Sequence, residues 1–395
     1  MFQRDIFPDL KEHLASPQAT VITGMRRTGK STALKWLLEQ VKHSNKIYMD
    51  CERLEVRAQL RQENYEAIME WFSLKGLDLS KPCVIAFDEI QLVSNLPSLI
   101  KYIYDTYNTK FLVTGSSSYY MKNQFSESLA GRKRIFELYP LSFKEFLLFK
   151  QSGIKSLEKY SWKKFSAPWY ERCKALYEEY LHYGGFPEVA LQIKIKDKRE
   201  YLNDIIDSYI ALDVKLISDY SVSDDLYRLA KLLAARAGNK VDYSKLGSVA
   251  GINRQKLKEY IHLFEYTYFI YVVTPFSKNI DKEISQQPKL YFADTGILNE
   301  LAGVQLSSGQ LFENAIAAQL KPQGVLNYYQ KKTGQEIDFI WNEKTAIEVK
   351  ETALEQDLAV LKQRSQAIGL QDYALITRYV SKTKFRNLIW GGNVY

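Results

Sequence analysis

The chain has 395 residues, of which 46% are hydrophobic, so it can bury more than one core, and two to four domains are expected. Its net charge of +8 permits nucleic-acid binding, while three cysteines and four histidines without ligand spacing argue against structural zinc and a disulfide framework. No run of about 18 apolar residues occurs and residues 1–5 begin no signal peptide, so the sequence predicts a cytoplasmic protein with no membrane partner.

The first informative segment is a glycine-containing loop between a predicted strand and a predicted helix. Residues 19–23 are an apolar strand, and residues 32–41 have apolar side chains at helical spacing. The loop between them, Gly-Met-Arg-Arg-Thr-Gly-Lys-Ser (24–31), fits the phosphate-binding pattern Gly-x4-Gly-Lys-Ser/Thr. The predicted ATP contacts are Gly24, Arg27, Thr28, Gly29, Lys30, Ser31 and Thr32. Lys30 is expected to reach the β- and γ-phosphates, and the Ser31 hydroxyl to ligate Mg²⁺.

A second apolar run, residues 82–87, ends in the two acids Asp88 and Glu89. Parallel strands deliver such acids to the carboxyl edge of a sheet, where a phosphate-binding loop also lies. Asp88 is therefore predicted to hold Mg²⁺, and Glu89 to activate water for attack on the γ-phosphate. Taken alone, two acids after a strand can also be solvated loop residues.

The next apolar run, residues 110–114, leads into a polar tip. Thr114 and Ser116 are predicted to contact the γ-phosphate from this tip. Further on, Arg132 follows Gly131 ahead of another strand and is a candidate for stabilising transition-state charge in its own or a neighbouring subunit. The alternative is a surface cation in the basic run 132–134.

These motifs together resemble a known family. The carriers of the resemblance are Gly-x4-Gly-Lys-Ser (24–31), Phe-Asp-Glu-Ile-Gln (87–91), Thr-Gly-Ser-Ser-Ser (114–118), Leu-Ala-Gly-Arg (129–132), Tyr-Pro-Leu-Ser-Phe-Lys-Glu-Phe (139–146), Tyr-Gly-Gly-Phe-Pro-Glu (183–188) and Tyr-Phe-Ala-Asp-Thr-Gly (291–296). The chain is similar to prokaryotic AAA+ superfamily ATPases of the archaeal-like type. The resemblance implies a C-terminal domain with a PD-(D/E)XK nuclease-like fold, and a ring or smaller homo-oligomer.

The middle of the chain is predicted to be helical. Residues 158–183 and 196–220 have the spacing of two helical regions, consistent with a lid beside the nucleotide. Helices at 226–237, 243–250 and 254–264, then strands near 268–273 and 289–292, outline a winged helix. Its third helix would present Arg254, Lys256 and Lys258 to DNA, with Lys278 and Lys282 in the loop on an adjacent backbone. Many winged helices bind only proteins, and that alternative stays open.

The C-terminal segment predicts a hairpin with loop 342–344, in which Trp341 pairs with Thr345. This register sets Asp338 opposite Glu348, and Glu336 opposite Lys350. Asp338 and Glu348-x-Lys350, with Glu313 from a helix, resemble the nuclease signature residue by residue. Asp338, Glu348 and Glu313 would then bind Mg²⁺, while Lys350 positions or deprotonates the nucleophile. The alternative is a solvated cross-strand charge ladder that needs no metal.

The sequence thus predicts an α/β fold in four parts. They are an AAA+-like P-loop NTPase domain (1–150), a helical lid (151–222), a winged-helix domain (223–290) and a restriction-endonuclease-like PD-(D/E)XK domain (291–395). The predicted function is ATP hydrolysis coupled to action on nucleic acid, DNA rather than RNA. The competing class is a nucleotide-driven switch or scaffold whose later domains only bind partners. A P-loop kinase is disfavoured, since no acceptor-binding motif is recognisable.

Overall fold

The computed structural model describes residues 2–116, 131–151, 167–213, 223–277, 286–331, 334–380 and 387–394. The chain divides into two compact units. Unit 1 comprises Met1–Tyr139 and Tyr266–Tyr268, and unit 2 comprises Pro140–Glu265 and Phe269–Tyr395. The four domain boundaries named above stay a prediction.

Unit 1 is an α/β unit built around parallel strands. Its elements are α1 (Phe7–Glu12), β1 (Ala19–Thr23), α2 (Lys30–Glu39), β2 (Lys46–Asp50), α3 (Leu54–Leu60), α4 (Tyr65–Leu74), β3 (Cys83–Asp88), α5 (Leu96–Thr106), β4 (Thr109–Gly115) and β5 (Lys133–Glu137). The sheet order is β2-β3-β4-β1-β5, and every adjacent pair is parallel. All five strands therefore end at one edge, where α2 begins.

The sheet of unit 1 is covered on both faces, which explains why its strands read as continuous apolar runs. Along β3, Ile85 and Phe87 belong to one buried cluster, and Val84 and Ala86 belong to another. All residues of β1 and β3 are buried. Packing on both faces of the sheet thus holds the central strands, and with them the carboxyl ends from which the site residues extend.

Unit 2 begins with helices and ends in a mixed sheet. Its helices are α6 (Phe143–Phe149), α7 (Ala167–Tyr183), α8 (Pro187–Leu191), α9 (Ile195–Ser208), α10 (Ser223–Ala234), α11 (Tyr243–Ala250), α12 (Arg254–Tyr266), α13 (Thr295–Ala302), α14 (Ser308–Leu320) and α15 (Glu355–Ala367). Its strands are β6 (Ile270–Pro275), β7 (Lys289–Phe292), β8 (Leu326–Gln330), β9 (Glu336–Trp341), β10 (Thr345–Thr352), β11 (Asp372–Tyr379) and β12 (Leu388–Trp390). α12 ends at the boundary of unit 1.

The seven strands form one sheet in the order β12-β11-β10-β9-β8-β6-β7. β6 and β7 are the strands that the sequence assigns to a winged helix. Here β6 pairs in parallel with β8, at Thr274 with Asn327, so both strands extend the sheet of the C-terminal segment. The three helices α10, α11 and α12 precede them in the predicted order, while Lys278 and Lys282 lie outside the described residues.

The predicted hairpin of β9 and β10 is confirmed, with Trp341 opposite Thr345. A three-residue loop usually has glycine at a left-handed position, and this loop has none. Asn342 and Glu343 take the left-handed conformation instead of Lys344, with φ of 50° and 57°. The Asn342 side chain accepts a hydrogen bond from the Val325 N–H at 2.9 Å, and this contact holds the turn without glycine. The described pairing ends at Phe339 with Ile347, one position before Asp338 and Glu348.

One buried carboxylate joins two of the sequence motifs inside unit 2. Asp294 caps α13 by accepting from the Ile297 N–H at 3.1 Å, and it accepts from the Gly185 N–H at 2.7 Å. Burial raises the pKa of Asp294 to about 6. The segments 183–188 and 291–296 are therefore held together by a group whose ionised form is destabilised by its surroundings.

The described residues include no helix that has both the length and the apolar character needed to cross a membrane.

Candidate functional site

The loop after β1 turns sharply and opens onto the N-terminus of α2. Gly24 has φ of 153°, and a Cβ atom there would collide with the backbone oxygen of Leu138, so only glycine fits. Gly29 takes a left-handed conformation with φ of 96° and is the N-cap of α2. No side chain caps this helix, so its first N–H groups face the loop. This arrangement suits an anion.

Lys30 is the first residue of α2, and its side chain lies inside the loop. Its exposure is 4%, and Nζ donates to the Met25 backbone oxygen at 3.0 Å. The same nitrogen lies 4.0 Å from Oε1 of Glu89. The ammonium thus stands between the loop and the end of β3, as the sequence predicts. Ser31 is half-buried and Thr32 is exposed on the same turn.

The Asp88 carboxylate at the end of β3 is held from both sides. Tyr48 donates its hydroxyl to Oδ2 at 2.7 Å, and the Thr114 hydroxyl donates to Oδ1. Burial, and then the neighbouring Asp88, raise the pKa of Tyr48, so its proton stays on the phenol. Each carboxylate oxygen keeps a further lone pair. Sequence reasoning missed Tyr48, because nothing local shows that β2 lies beside β3.

Glu89 sits at a conformationally strained position directly after β3. Its φ of 53° is left-handed, although it is not glycine. Its N–H donates to the Thr114 hydroxyl at 3.0 Å, and its carboxylate accepts from Gln91. Gln91 also reaches the Ser116 hydroxyl at 2.8 Å. These contacts aim the Glu89 side chain toward Lys30.

Two predicted phosphate contacts have structural partners instead. The buried Thr28 hydroxyl donates to the Met25 oxygen at 2.8 Å, while the Thr28 carbonyl accepts from Arg4 at 2.9 Å. Thr114 is fully buried and bridges Asp88 and Glu89. Through these hydrogen bonds Thr28 stabilises the loop, and Thr114 holds Asp88 and Glu89 in position. Arg27 lies in the same loop and has a left-handed backbone conformation, with φ of 64°.

Arg132 lies away from the loop within unit 1. It precedes β5, and its carbonyl accepts from the N–H of Ala19, the first residue of β1. The loop follows the other end of β1, about 16 Å away for a strand of this length. The Arg132 guanidinium is 3.1 Å from Asp105 Oδ1. The structure therefore does not bring Arg132 to the Lys30 site of its own chain; residues 117–130 before it lie outside the described residues.

The basic residues of α12 are spread around the helix, with Arg254 and Lys258 one turn apart on one face and Lys256 on another. Arg254 is exposed, whereas Lys256 and Lys258 are half-buried. The Lys256 ammonium lies 5.3 Å from the Tyr260 ring centre, and that of Lys258 lies 5.7 Å from the Tyr243 ring centre. The aromatic contacts hold the lysine stems against the helix, and the charged ends remain near solvent. Their assignment to nucleic acid stays a prediction.

In unit 2 the predicted metal ligands have protein partners. Glu313 on α14 accepts from the Tyr291 hydroxyl at 2.7 Å and lies 3.5 Å from Lys289 Nζ. Glu336 on β9 contacts Lys289 too, and its other oxygen accepts from Gln330 at 3.0 Å. Glu336 pairs with Gln330 of β8 and contacts Lys289, and the described pairing of β9 with β10 does not reach Glu336, so its predicted opposition to Lys350 stays a prediction.

The rest of the predicted site consists of Asp338 on β9 and of Glu348 and Lys350 on β10. Asp338 accepts from the Val349 N–H at 2.8 Å, and Lys350 lies 2.9 Å from Glu348 Oε1. Burial, followed by the charges of Glu313 and Glu348, raises the pKa of Asp338 well above its usual value. Oε2 of Glu348 is buried with no hydrogen-bond partner. The negative charges of these acids act on one another, and each carboxylate contacts a donor of the protein.

The arrangement does not match a metal centre as it stands. Within the described ranges, no group of three His, Cys, Asp or Glu side chains is placed to hold a metal ion. The observation that favours a bound ligand here is the buried Oε2 of Glu348, which has no hydrogen-bond partner. The metal site at Glu313, Asp338 and Glu348, with Lys350 as its base, stays a prediction.

Comparison with known proteins places the loop in a recognised domain. Residues 16–147 match the family model described as AAA domain, and residues 174–308 match a domain of unknown function (DUF8612). An uncharacterized protein of Methanocaldococcus jannaschii is 27% identical, over 84% of this chain and 74% of its own length. An uncharacterized protein of Haemophilus influenzae is 25% identical, over 81% and 78%. The first part of the chain thus has an α/β fold with the parallel sheet of a P-loop AAA+ ATPase.

Solved structures give weaker matches. The Aeropyrum pernix ORC1 protein in complex with DNA is 12% identical with a TM-score of 0.36, covering 76% of this chain and 92% of that one. The Thermotoga maritima RuvB Holliday junction branch migration motor is 15% identical with a TM-score of 0.35, covering 72% and 95%.

Proposed function

We propose that unit 1 binds ATP with Mg²⁺ and hydrolyses it. The observation that carries the proposal is the position of Lys30, whose buried ammonium lies at the uncapped N-terminus of α2 and 4.0 Å from the Glu89 carboxylate. A buried cation beside free N–H groups favours a polyphosphate, and the nearby carboxylate supplies a base. The match of residues 16–147 to the AAA domain supports the same assignment.

The residues at the end of β3 fit Mg²⁺. Hydroxyl and carboxylate oxygens are the ligands this ion prefers, and Ser31 and Asp88 provide them beside the loop. When bound, the ion neutralises charge that develops on the phosphates. Tyr48 and Thr114 orient the Asp88 carboxylate through hydrogen bonds, so its position does not depend on the ion.

The water that attacks the γ-phosphate is assigned to Glu89. Its left-handed backbone and its contact with Gln91 direct the carboxylate toward the loop rather than along the strand. Glu89 accepts a proton from the water, while Lys30 holds the phosphate oxygens that gain charge. Ser116, linked to Gln91 at 2.8 Å, completes the polar wall on this side.

ATP binding and turnover test this proposal directly. Binding of a fluorescent ATP analogue and release of phosphate are measured for the full chain and for Lys30→Ala. The variant is expected to lose both signals, because it removes the buried ammonium at the N-terminus of α2 that would hold the phosphate oxygens. Lys42→Ala is the matched control, since Lys42 is exposed just beyond the C-terminal end of the same helix. Equal affinity in Lys30→Ala and the wild type contradicts the assignment.

We further propose that nucleotide turnover acts on nucleic acid held by unit 2, and that DNA is its substrate rather than RNA. The support is the exposed Arg254 with Lys258 one turn further along α12, and the net charge of +8. A helix with two basic residues on one face fits the wide major groove of B-form DNA, whereas the deep groove of A-form RNA excludes a helix.

The salt dependence of DNA affinity separates this function from a nucleotide-driven scaffold. Each lost phosphate contact reduces the slope of log affinity against log salt by about 0.9. Arg254→Ala is expected to show that reduction, and Lys196→Ala, an exposed lysine paired with Glu200, is the control. A protein without a salt-dependent DNA affinity, with ATP turnover intact, supports the scaffold.

A metal-dependent nuclease in unit 2 is the finer part of the prediction. It is tested by cleavage of single- and double-stranded DNA with Mg²⁺ or Mn²⁺, comparing wild type with Asp338→Ala and Lys350→Ala. Cleavage that both variants lose supports it. Because Glu313 and Glu336 are engaged by Lys289, we derive no cleavage step from the present arrangement.

A further inference from the structure

Two acidic side chains of unit 2 contact one buried lysine, and a third acts on it through its charge. We call Glu313, Glu336 and Asp338 the acidic cluster. Lys289, on β7, has only 5% exposure, and its ammonium lies 3.5 Å from Glu313 and in contact with Glu336. Asp338 adds its charge to the same field. A lysine this deep is rare unless acids surround it.

The lysine is held in this position by more than its charge. Its strand places it beside Tyr328, with Nζ 5.6 Å from the ring centre. Tyr291, two residues along β7, donates to the same Glu313 carboxylate at 2.7 Å. Strand β7 thus supplies both a cation and a hydroxyl donor to α14. Burial alone lowers the pKa of Lys289, yet the carboxylates outweigh it and keep the ammonium charged.

A divalent ion at these carboxylates would need the same space. Mg²⁺ and Mn²⁺ require oxygen ligands at roughly 2.0–2.2 Å, and Glu313 and Glu336 can approach an ion so closely only if the ammonium leaves. We infer that Lys289 is the resident cation of the acidic cluster, and that it occupies the place a divalent ion would take. The cluster keeps its charge balance without metal, and removal of Lys289 leaves Glu313 and Glu336 as two carboxylates without a cation, for which a divalent ion with its bound waters can compete.

This inference concerns unit 2 and does not depend on ATP hydrolysis. The chain offers a close control, because Lys240 forms an isolated β-bridge with Lys289 and its ammonium also lies 5.6 Å from the Tyr328 ring centre. Lys240 is exposed, however, and has no ion pair within the described part of the chain. Lys289→Met and Lys240→Met therefore remove the same charge from neighbouring positions, and only one of them faces the cluster.

The experiment measures the thermal midpoint and Mn²⁺ binding of the full, nucleotide-free chain, in EDTA and then in MnCl₂. Wild type and Lys240→Met are expected to show no Mn²⁺ shift from the cluster. Lys289→Met is expected to melt lower in EDTA and to regain roughly 3–5 °C in saturating Mn²⁺. The gain should disappear in Lys289→Met/Glu313→Gln. Any ion near Asp88 contributes equally to every variant.

Two results overturn the inference. The first is wild-type Mn²⁺ binding that Glu313→Gln or Asp338→Asn removes, since the ion and Lys289 would then coexist. The second is a folded Lys289→Met that gains no Mn²⁺ affinity. If Lys289→Met does not fold, the wild-type measurement still decides, and Lys289→Arg, which keeps the charge, is expected to fold without a Mn²⁺ response.

Discussion

Neutralising Glu89 is the most direct test of the proposed hydrolysis. Glutamine has the same shape, and its amide oxygen can still accept the Gln91 hydrogen bond that positions the side chain. What it loses is the ability to take a proton from water. A positioned general base contributes about 10²–10⁴-fold, equivalent to roughly 3–5 kcal/mol of barrier. Glu89→Gln is therefore expected to lower ATP turnover by that factor.

ATP binding should survive in the same variant. Glu89 lies beside Lys30 at 4.0 Å rather than in the backbone of the loop, so its neutralisation removes a repulsive charge from the phosphate site. Affinity is expected to stay within about tenfold of wild type or to improve. Glu70→Gln is the control, since Glu70 is an exposed carboxylate on α4.

The assay pairs single-turnover phosphate release with equilibrium binding of a fluorescent ATP analogue. Turnover in Glu89→Gln within about threefold of wild type refutes the assignment of the base, since such a change is far below the range of general-base catalysis. Loss of binding together with turnover refutes it differently, because Glu89 would then support the fold of the loop.

Three further outcomes follow from the described contacts. Thr114→Val removes the hydroxyl between Asp88 and Glu89 and should cut turnover at least tenfold, whereas Thr114→Ser restores most of it; phosphate release measures both. The stability of wild type relative to Asp294→Asn should rise by about 1.4 kcal/mol from pH 7.5 to pH 5, because the Asp294 pKa near 6 exceeds its unfolded value of 3.8; denaturant unfolding of both proteins measures it, and a flat difference contradicts the burial argument. Arg132→Ala should leave turnover of dilute monomer within about twofold, and concentration-dependent turnover that the variant abolishes identifies a role in a neighbouring subunit.

The sign of the Asp294 prediction follows from burial. Its carboxyl binds a proton more tightly in the folded state, so the favourable contribution is complete below the unfolded pKa and is lost as the pH rises through about 6. The raised pKa persists although the backbone N–H groups of Gly185, Ile297 and Gly296 lower it. Desolvation therefore outweighs these three hydrogen bonds.

The arrangement of the candidate nucleotide site was predictable because its information is local. β1 spans Ala19–Thr23 as predicted, and Lys30, Asp88 and Glu89 follow strands whose carboxyl ends meet at one edge. The order of strands is not local. The sequence does not reveal that β5 lies beside β1 with its start next to Ala19, and that pairing takes Arg132 to the opposite edge. The pairing of Tyr48 with Asp88 escapes prediction for the same reason.

The C-terminal region shows the same limit more sharply. The two-residue alternation of β9 and β10 is enough to predict Trp341 opposite Thr345. It is not enough to predict the partner of Glu336, because Lys289 is 47 positions earlier and comes from β7, three strands away in the sheet. A nuclease-like pattern of acids and a lysine was visible in the sequence, while the lysine that faces Glu313 and Glu336 was not the one in the pattern.

Lys30 and Lys289 are both buried but have opposite surroundings, and that difference sets what each site can accept. Lys30 has one carboxylate at 4.0 Å and the uncapped N-terminus of α2 around it, so positive potential remains for an anion. Lys289 has two carboxylates in contact range and a third in its field, so the acids hold the ammonium tightly and the cluster has no excess positive charge. A phosphate is therefore attracted to the Lys30 site, whereas the carboxylates around Lys289 would repel it. A cation can enter the acidic cluster only by displacing the Lys289 ammonium.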